Sequence, residues 1–380
     1  MRIGIDASRA FLDQPTGTER YAWEMITRII RLPEAKQNEW ILYVRKGQGK
    51  NIGNELPGNV RIAEIDLPYL WTQVGLAART WTDGLDVLWI PAHTLPVLRK
   101  PNWRLAGKPL KTVVTIHGIE YEWLPAYENP LQRWYLPLST RYAVKQATQV
   151  IAVSGFTKKQ LVERLGADPK KIRVIGNGYE PEENGQKNTE GFAAGERYKL
   201  QKGKYFVFVG TVQPRKNLVR LIEAFGRLKY TDYKLIICGK LGWNFAEVQA
   251  AAEKTGRNRV IVTGYINEND RRELLRNAVA YVQPSITEGF GIPVLEAMGA
   301  GVPVLSSNGG ALPEVVGRAG WLFDPMRVEE IRAAMEKIIE DRGLRNRLKN
   351  EGKQQVLKFS WESSARQVFE LLTYKEKDLK

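Results

Sequence analysis

The stretch "KYFVFVGTVQPRKNLVRLIEAF", Lys204–Phe225, decides the reading of the fold. Its first part, "KYFVFVG", is a run of aromatic and β-branched residues closed by a glycine, and it reads as a strand. Its second part places Leu218, Leu221, Ile222 and Phe225, with Leu228 just beyond, on one face of an amphipathic helix. Arg215 and Lys216 therefore fall where a strand ends and a helix begins. Cations there oppose the helix dipole by ~0.3–1 kcal/mol each. Amide hydrogens and side-chain charge at such a junction suit a diphosphate, so an anion site is favoured over a solvated basic pair.

Outward from this stretch the same alternation recurs. Downstream, "KLIICG", "RVIVTG", "AYVQPS", "VPVLSS" and "GWLF" read as strands with helix-period segments between them. Upstream, "RIGID", "WILYV", "VRIAEI", "DVLWI", "TVVTI" and "VIAVS" do the same, with helices expected over Glu19–Ile30 and Leu131–Ala147. Such a series predicts an α/β fold of mostly parallel sheets with helices on their faces. The segment "PEENGQKNTEGFAAGERYKLQKGK" is polar, glycine-bearing and without a clear period, which marks a linker. At 380 residues the chain exceeds one ordinary core. Two domains are expected, over 1–180 and 204–357, joined by a linker over 181–203. Two doubly wound domains facing each other would open the carboxyl ends of both sheets onto a central cleft.

The formal charge of +15 asks for an anionic partner: nucleic acid, an acidic membrane surface or a phosphorylated substrate. The excess is shared between residues 1–180 and the remainder, and no zinc-finger or RNA-motif signature accompanies it, so nucleic acid is set aside. The single cysteine, Cys238, lies in the apolar run "YKLIICG" and reads as a small buried hydrophobe. Without a disulfide framework a reducing compartment is favoured. The opening residues lead straight into a strand, and no apolar run spans a bilayer, so a cytoplasmic location is expected.

The stretch "SITEGFGIPVLEAMGAGVPVL", Ser285–Leu305, sets Glu288 and Glu296 eight positions apart. On an unbroken helix they would lie about 80° from alignment. Gly289, Gly291 and Pro293 predict instead a loop holding Glu288 and a helix beginning near Pro293 with Glu296 in its first turn. Helix-start amides take phosphate oxygens, and a carboxylate accepts hydrogen bonds from a vicinal diol. A sugar nucleotide has both features; capping or surface charge is the alternative for both acids.

Near the amino terminus, "IDASRAFLDQPTGTERYAWEM" predicts a strand, a loop with Pro15 and Gly17, and a helix with Tyr21 in its first turns. Glycine lets a backbone approach a ligand, as an ordinary turn also would. The three glycines of a dinucleotide fingerprint are missing. The chain has two histidines, His93 in "IPAHTLP" and His117 in "TVVTIHGIEY". Neither has another histidine near it in sequence, so no protein-built metal centre is expected. His117 closes an apolar strand, which puts its imidazole at the sheet edge where open α/β domains bind ligands.

Taken in order, "VIAVSGFTKKQLVERLG" with "IRVIGNG", "VGTVQPRKN", "EGFGIPVLE", "SNGGALPEV" and "FSWESSARQVFELL" resemble the retaining glycosyltransferases of family four. The resemblance covers nearly the whole chain. It implies the GT-B architecture of two Rossmann-like domains, with a C-terminal helix over 358–380 returning to the N-terminal domain. It further implies that Glu296 holds the nucleotide ribose, that Glu288 lies near the donor sugar, and that Lys216 neutralises the diphosphate. His117 would contact the transferred sugar, and Gly17 would belong to the loop whose backbone approaches the phosphates. Thr211 and the loop residues Gly289, Phe290, Gly291 and Ile292 complete the expected donor contacts. Two positions depart from the family pattern. Thr211 stands where many members have arginine, so Arg215 is expected to supply the second charge. Gly118 follows His117 where many members have aspartate, so no carboxylate is assigned there.

The resemblance thus implies a retaining, metal-independent hexosyltransferase without a cofactor. A GDP- or UDP-linked sugar would be its donor substrate, with GDP-mannose suggested by "PAHTLP", "TIHG" and "VGTVQPRKN". The acceptor would be a glycan or a lipid-linked saccharide of cell-surface polysaccharide. Trp71, Trp81, Trp103, Trp123 and Trp134, interleaved with Arg79, Arg104, Lys108, Lys111 and Arg133, compose a candidate surface for an anionic membrane at the inner face of the cell. A core role for these tryptophans is the competing reading. A sugar-nucleotide epimerase of similar paired-Rossmann fold and a non-catalytic basic binding protein stay open as alternatives.

Overall fold

The structure is a computed structural model of the 380-residue chain, and it describes residues 1–12, 15–51, 56–101, 109–122, 130–180, 192–243, 245–256 and 258–374. The chain forms two compact units. The first takes in the described residues that fall within 1–122, 130–178 and 360–374, and the second those that fall within 179–180 and 192–359. Of the candidate membrane surface, Trp103, Arg104, Lys108 and Trp123 lie outside the described residues, and Trp71 is 2% exposed and covered by the Arg45 guanidinium at 5.6 Å.

In the first unit the strands are Arg2–Asp6 (β1), Glu39–Arg45 (β2), Val60–Ile65 (β3), Val87–Ile90 (β4), Lys111–Ile116 (β5), Gln149–Ala152 (β6) and Ile172–Val174 (β7). They form one sheet in the order β3-β2-β1-β4-β5-β6-β7, with every pair parallel. Ile3, Ile5, Trp40 and Trp89 are fully buried, as expected of a sheet covered on both faces. The helices Gly17–Ile29 and Pro130–Gln146 agree with the sequence reading to within end fraying. Strand β7 escaped that reading: it has three residues, and its Arg173 and Val174 are exposed, so no apolar run announces it.

The helix Trp361–Thr373 belongs to this unit, as the resemblance implies. Trp361 approaches Tyr21 at 6.3 Å between ring centroids, and Phe369 approaches Trp40 at 6.2 Å. Ser364 Oγ donates to the Gly176 carbonyl at 2.8 Å. Two aromatic anchors thus carry the attachment, each worth ~1.5–3 kcal/mol of burial.

The second unit has Tyr205–Val209 (β8), Lys234–Cys238 (β9), Val260–Gly264 (β10), Ala280–Gln283 (β11), Val304–Ser307 (β12) and Gly320–Phe323 (β13), in the order β10-β9-β8-β11-β12-β13 and again parallel. Leu218, Leu221, Ile222, Phe225 and Leu228 enter one core with Phe206, Phe208, Leu235 and Ile237 of the sheet. Burial pushes the Cys238 thiol up to about 12, as befits an apolar filler.

Within the stretch expected as linker, residues 181–191 lie outside the described residues. Residues 192–203 are folded into the second unit through the helix Ala193–Arg197. Phe192 stacks on Tyr205 at 6.0 Å, and the Glu273 carboxylate caps the amides of Ala193 and Ala194 at 3.2 and 2.7 Å. One aromatic and one cap order a segment whose composition alone reads as polar connection. Among the described residues no helix is long and apolar enough to cross a membrane.

Candidate functional site

Strand β8 delivers the chain to Gly210 and Thr211, and Arg215 and Lys216 follow in a single turn, Pro214–Lys216. The amphipathic helix starts only at Leu218, so the basic pair stands ahead of it rather than inside it. The cause is Asn217, which adopts a left-handed conformation at φ +58°. Its buried Nδ2 donates to the carbonyls of Pro284 at 3.1 Å and Pro325 at 2.6 Å, bonds that offset the cost of that conformation.

Strand β11 leads into the loop that holds Glu288, which is 6% exposed. Its Oε2 accepts from Arg215 Nη1 at 2.6 Å. Its Oε1 accepts from Lys216 Nζ, from Ser285 Oγ at 2.6 Å and from Gln283 Nε2 at 2.9 Å. Burial works to raise this carboxyl, but the charges of Arg215 and Lys216 and the bonds from Lys216 and Ser285 prevail and hold it at about 2. The "SNGG" turn seats the loop: the Ala311 amide donates to the Glu288 carbonyl at 2.9 Å. Gly310, at φ +65°, has no room for a side chain, because a Cβ would meet the Glu288 backbone at 2.4 Å.

Glu296 occupies different surroundings, on the helix Ile292–Gly299. Its Oε2 accepts from Arg271 Nη1 at 3.0 Å, and Arg271 also binds Glu268 at 2.6 Å. Arg271 escaped the sequence reading because it sits in "NENDRRELLR", where charge is dense enough to hide one partner. Eight residues apart, the two acids serve two cationic clusters. Between them Phe290 packs edge-on to Phe359 at 5.8 Å, and Ile292 is 8% exposed. The side chains of Phe290 and Ile292 are thus packed inside the second unit. Thr211 is half-buried beside the basic turn, while Gly291 at φ +118° opens the helix of Glu296.

In the first unit the two histidines meet. Strands β4 and β5 are parallel neighbours, so His93 and His117, leaving their carboxyl ends, come side by side. The rings stack at 5.6 Å between centroids, and the His117 backbone amide donates to His93 Nε2 at 3.2 Å. His117 Nε2 lies 3.0 Å from the Pro91 carbonyl; a carbonyl only accepts, so the proton sits on Nε2 and Nδ1 is left as acceptor. Burial pushes His117 down to about 4, and burial together with His117 and Arg9 pushes His93 well below its usual value. Both imidazoles are neutral at pH 7. Tyr21 packs edge-on to His117 at 4.8 Å.

Gly118 explains its own departure. At φ +152° it adopts a backbone conformation that side chains disfavour, and a Cβ there would lie 2.3 Å from Glu120 Oε2. The Glu120 carboxylate occupies the space that a side chain at position 118 would enter. Gly17 is the first residue of its helix, with nothing within 4 Å of where a Cβ would stand.

Residues 195–355 match the family described as glycosyl transferases group 1, and residues 15–183 match glycosyltransferase family 4. The O-antigen chain mannosyltransferase B of Escherichia coli is 31% identical over 272 residues, 70% of this chain and 71% of that protein. The O-antigen chain mannosyltransferase RfbU of Salmonella typhimurium is 27% identical over 248 residues, 65% of this chain and 63% of its own length. Among solved structures, WaaG, a glycosyltransferase involved in lipopolysaccharide biosynthesis, superimposes with a TM-score of 0.73 at 17% identity, covering 99% of this chain and 100% of that one. Anabaena HepE in complex with UDP and glucose gives 0.74 at 19%, covering 98% and 99%. Two parallel sheets of seven and six strands match the GT-B fold of these neighbours, and with a 31% identical relative covered over 71% of its length the chain belongs to the glycosyltransferases of family 4.

Proposed function

We propose that this glycosyltransferase moves mannose from GDP-mannose to a glycan or lipid-linked acceptor in cell-surface polysaccharide biosynthesis, with retention of anomeric configuration and without a metal. The observation that carries the reading is the buried Arg215–Glu288–Lys216 cluster at the end of β8. Two cations against one carboxylate leave a positive surplus in a site poor in water. When the bond between the sugar C1 and the diphosphate oxygen breaks, negative charge grows on the leaving group, and Arg215 and Lys216 stabilise it. The acceptor hydroxyl bonds to C1 and its proton passes to the departing phosphate oxygen. Glu296 takes the ribose hydroxyls, and Arg271 holds its carboxylate in place.

His117, neutral with Nδ1 as acceptor, receives a hydroxyl of the transferred sugar, and Gly17 brings backbone amides to the phosphates. The two glutamates are not a glycosidase acid and nucleophile, since Glu288 is ionised and fully engaged by donors. The relatives that are O-antigen mannosyltransferases support mannose as the sugar.

A thermal-shift screen across GDP-, UDP- and ADP-sugars tests the donor: GDP-mannose is expected to give the largest rise in Tm. Activity should survive EDTA, and proton NMR of the product should show the anomeric configuration of the donor. Activity that vanishes in EDTA and returns with Mn²⁺ or Mg²⁺ would assign the leaving-group charge to a metal instead.

A further inference from the structure

We propose that His93 is a second sugar-contacting residue of the first unit: its Nδ1–H and the Nδ1 lone pair of His117 together take hydroxyls of the transferred hexose. The inference rests on the reading above that His117 meets that sugar, and it gives His93 a share in recognising it.

The sheet brings the two imidazoles together. Strands β4 and β5 pair in register from Val87 with Lys111 to Ile90 with Val114, so the chain leaving each carboxyl end carries its histidine to one edge. The short segment from Pro91 to His93 then grips His117 at two points. The Pro91 carbonyl accepts from His117 Nε2 at 3.0 Å, and His93 Nε2 accepts from the His117 backbone amide at 3.2 Å. A ring nitrogen that accepts carries no proton, so the single hydrogen of the neutral His93 ring sits on Nδ1. The two rings therefore differ in what they leave over. His93 keeps a hydrogen-bond donor at Nδ1, and His117 keeps an acceptor at Nδ1.

Among the described residues no hydrogen bond reaches either Nδ1 atom. Both side chains are half-buried, which leaves each of these atoms to water or to a ligand. The rings are held in place from both outer sides. They stack within 15° of parallel, Tyr21 lies edge-on to His117 at 4.8 Å, and Tyr121 lies 6.1 Å from His93. The outer two rings are themselves tied, Tyr21 Oη to Thr115 Oγ1 at 3.3 Å and Tyr121 Oη to Thr140 Oγ1 at 2.5 Å. Groups fixed before a ligand arrives lose little freedom in binding it.

The chemistry of the pair selects the ligand. A diphosphate offers acceptors and would leave the lone pair of His117 unmet; an ammonium group offers donors and would leave the Nδ1–H of His93 unmet. A hydroxyl both donates and accepts, so one acceptor beside one donor matches a polyol. The match requires both rings to be neutral. Burial holds them so, with Arg9 acting in the same direction on each.

Two substitutions at His93 separate contact with the sugar from support of His117. Glutamine places its carbonyl oxygen near the position of Nε2, so His93→Gln keeps an acceptor for the His117 amide and loses the donor at Nδ1. Asparagine places its amide nitrogen near the position of Nδ1, so His93→Asn does the reverse. Calorimetry with GDP-mannose and with GDP, alongside initial rates, reads the outcome. His93→Gln should bind GDP as the wild type does, bind GDP-mannose about tenfold more weakly and lose at least as much in kcat/KM, whereas His93→Asn should lose less on both counts. GDP-mannose binding and turnover in His93→Gln equal to wild type, with the larger loss in His93→Asn, would reduce His93 to a support for the His117 backbone and overturn the proposal. So would equal losses for GDP and GDP-mannose in His93→Gln, which would mark a general disturbance of the fold. Failure of the proposed function is distinct, because it shows in the wild type, as an absence of GDP-mannose binding or turnover before any substitution is made.

Discussion

The two units place their candidate site groups at the same end of similar sheets, yet the physical character of the groups is opposite. In the first unit the imidazoles of His93 and His117 are pushed down by burial and are neutral. In the second, the carboxylate of Glu288 is the more deeply buried group and yet ionised, because two cations share it. Burial alone favours the neutral form of any group; only a partner of opposite charge reverses it. The contrast therefore separates hydrogen bonding to neutral hydroxyls, which suits a sugar, from stabilisation of developing charge, which suits a diphosphate.

The largest effect expected from breaking this contrast is at Lys216. Lys216→Ala removes one of two cations and should lower kcat/KM by roughly 100–1,000-fold, weakening nucleotide binding in calorimetry as well. Glu288→Gln is the sharper test, since it removes the counter-ion and keeps the shape. Losing one partner of a buried pair costs roughly 3–5 kcal/mol, visible in urea unfolding. Turnover should fall strongly, but affinity for a nucleoside diphosphate should hold or rise, because both cations are released to it. A diphosphate affinity that falls as far as in Lys216→Ala would make Glu288 a ligand of the nucleotide rather than the partner of its cations.

The next effect is on stability against pH, and the two units should lose it in different windows. Glu288 is held at about 2 in the folded chain, below the usual ~4.3 of an unfolded one. Its contribution, on the order of 3 kcal/mol, is present above pH ~4.5 and disappears as pH falls towards 2. The histidines are also depressed, His117 to about 4 against ~6.5 when unfolded. The unfolded chain binds more protons below pH ~6.5, so stability declines from there towards pH 4, and His93, lowered in the same direction by burial, adds to the loss. Urea midpoints across pH should show the upper limb flattened in His93→Gln/His117→Gln and the lower limb flattened in Glu288→Gln. A single limb abolished by either variant would mean that the two sites do not titrate independently.

Most of the strands could be anticipated because parallel strands buried on both faces are written as continuous apolar runs, and Tyr205–Val209 and Val304–Ser307 were read from that signal. Strand β7 was not, since an edge strand of three residues needs no such run. At the site, residue types and their local loops were legible: Arg215, Lys216 and Glu288 all lie in one cluster. Their pairing was not, because Arg215 and Glu288 are 73 positions apart and joined only by the neighbouring of β8 and β11. The stacking of His93 on His117 and the placement of Glu120 beside Gly118 were hidden for the same reason. Distance in sequence carries no direction for a side chain, and a local period says nothing of which strand lies next door.

The smallest expected effect is at Gly17, where stability and binding should move apart. A Cβ at this position would meet nothing within 4 Å, and the backbone needs no left-handed conformation there. The fold gives glycine no task at the first residue of the helix, and alanine is the better helix former by ~0.5–1 kcal/mol. Gly17→Ala should therefore leave Tm unchanged or raise it by a few degrees. If the helix-start amides approach the donor phosphates, the added methyl group stands in the way, and nucleotide-sugar affinity should fall by several-fold, on the order of 1 kcal/mol. A more stable variant that binds its donor less well cannot be explained by packing or by propensity, because both act in the other direction. Affinity unaltered in Gly17→Ala would return this glycine to the role of an ordinary turn residue and leave donor recognition to Arg215, Lys216 and Glu296.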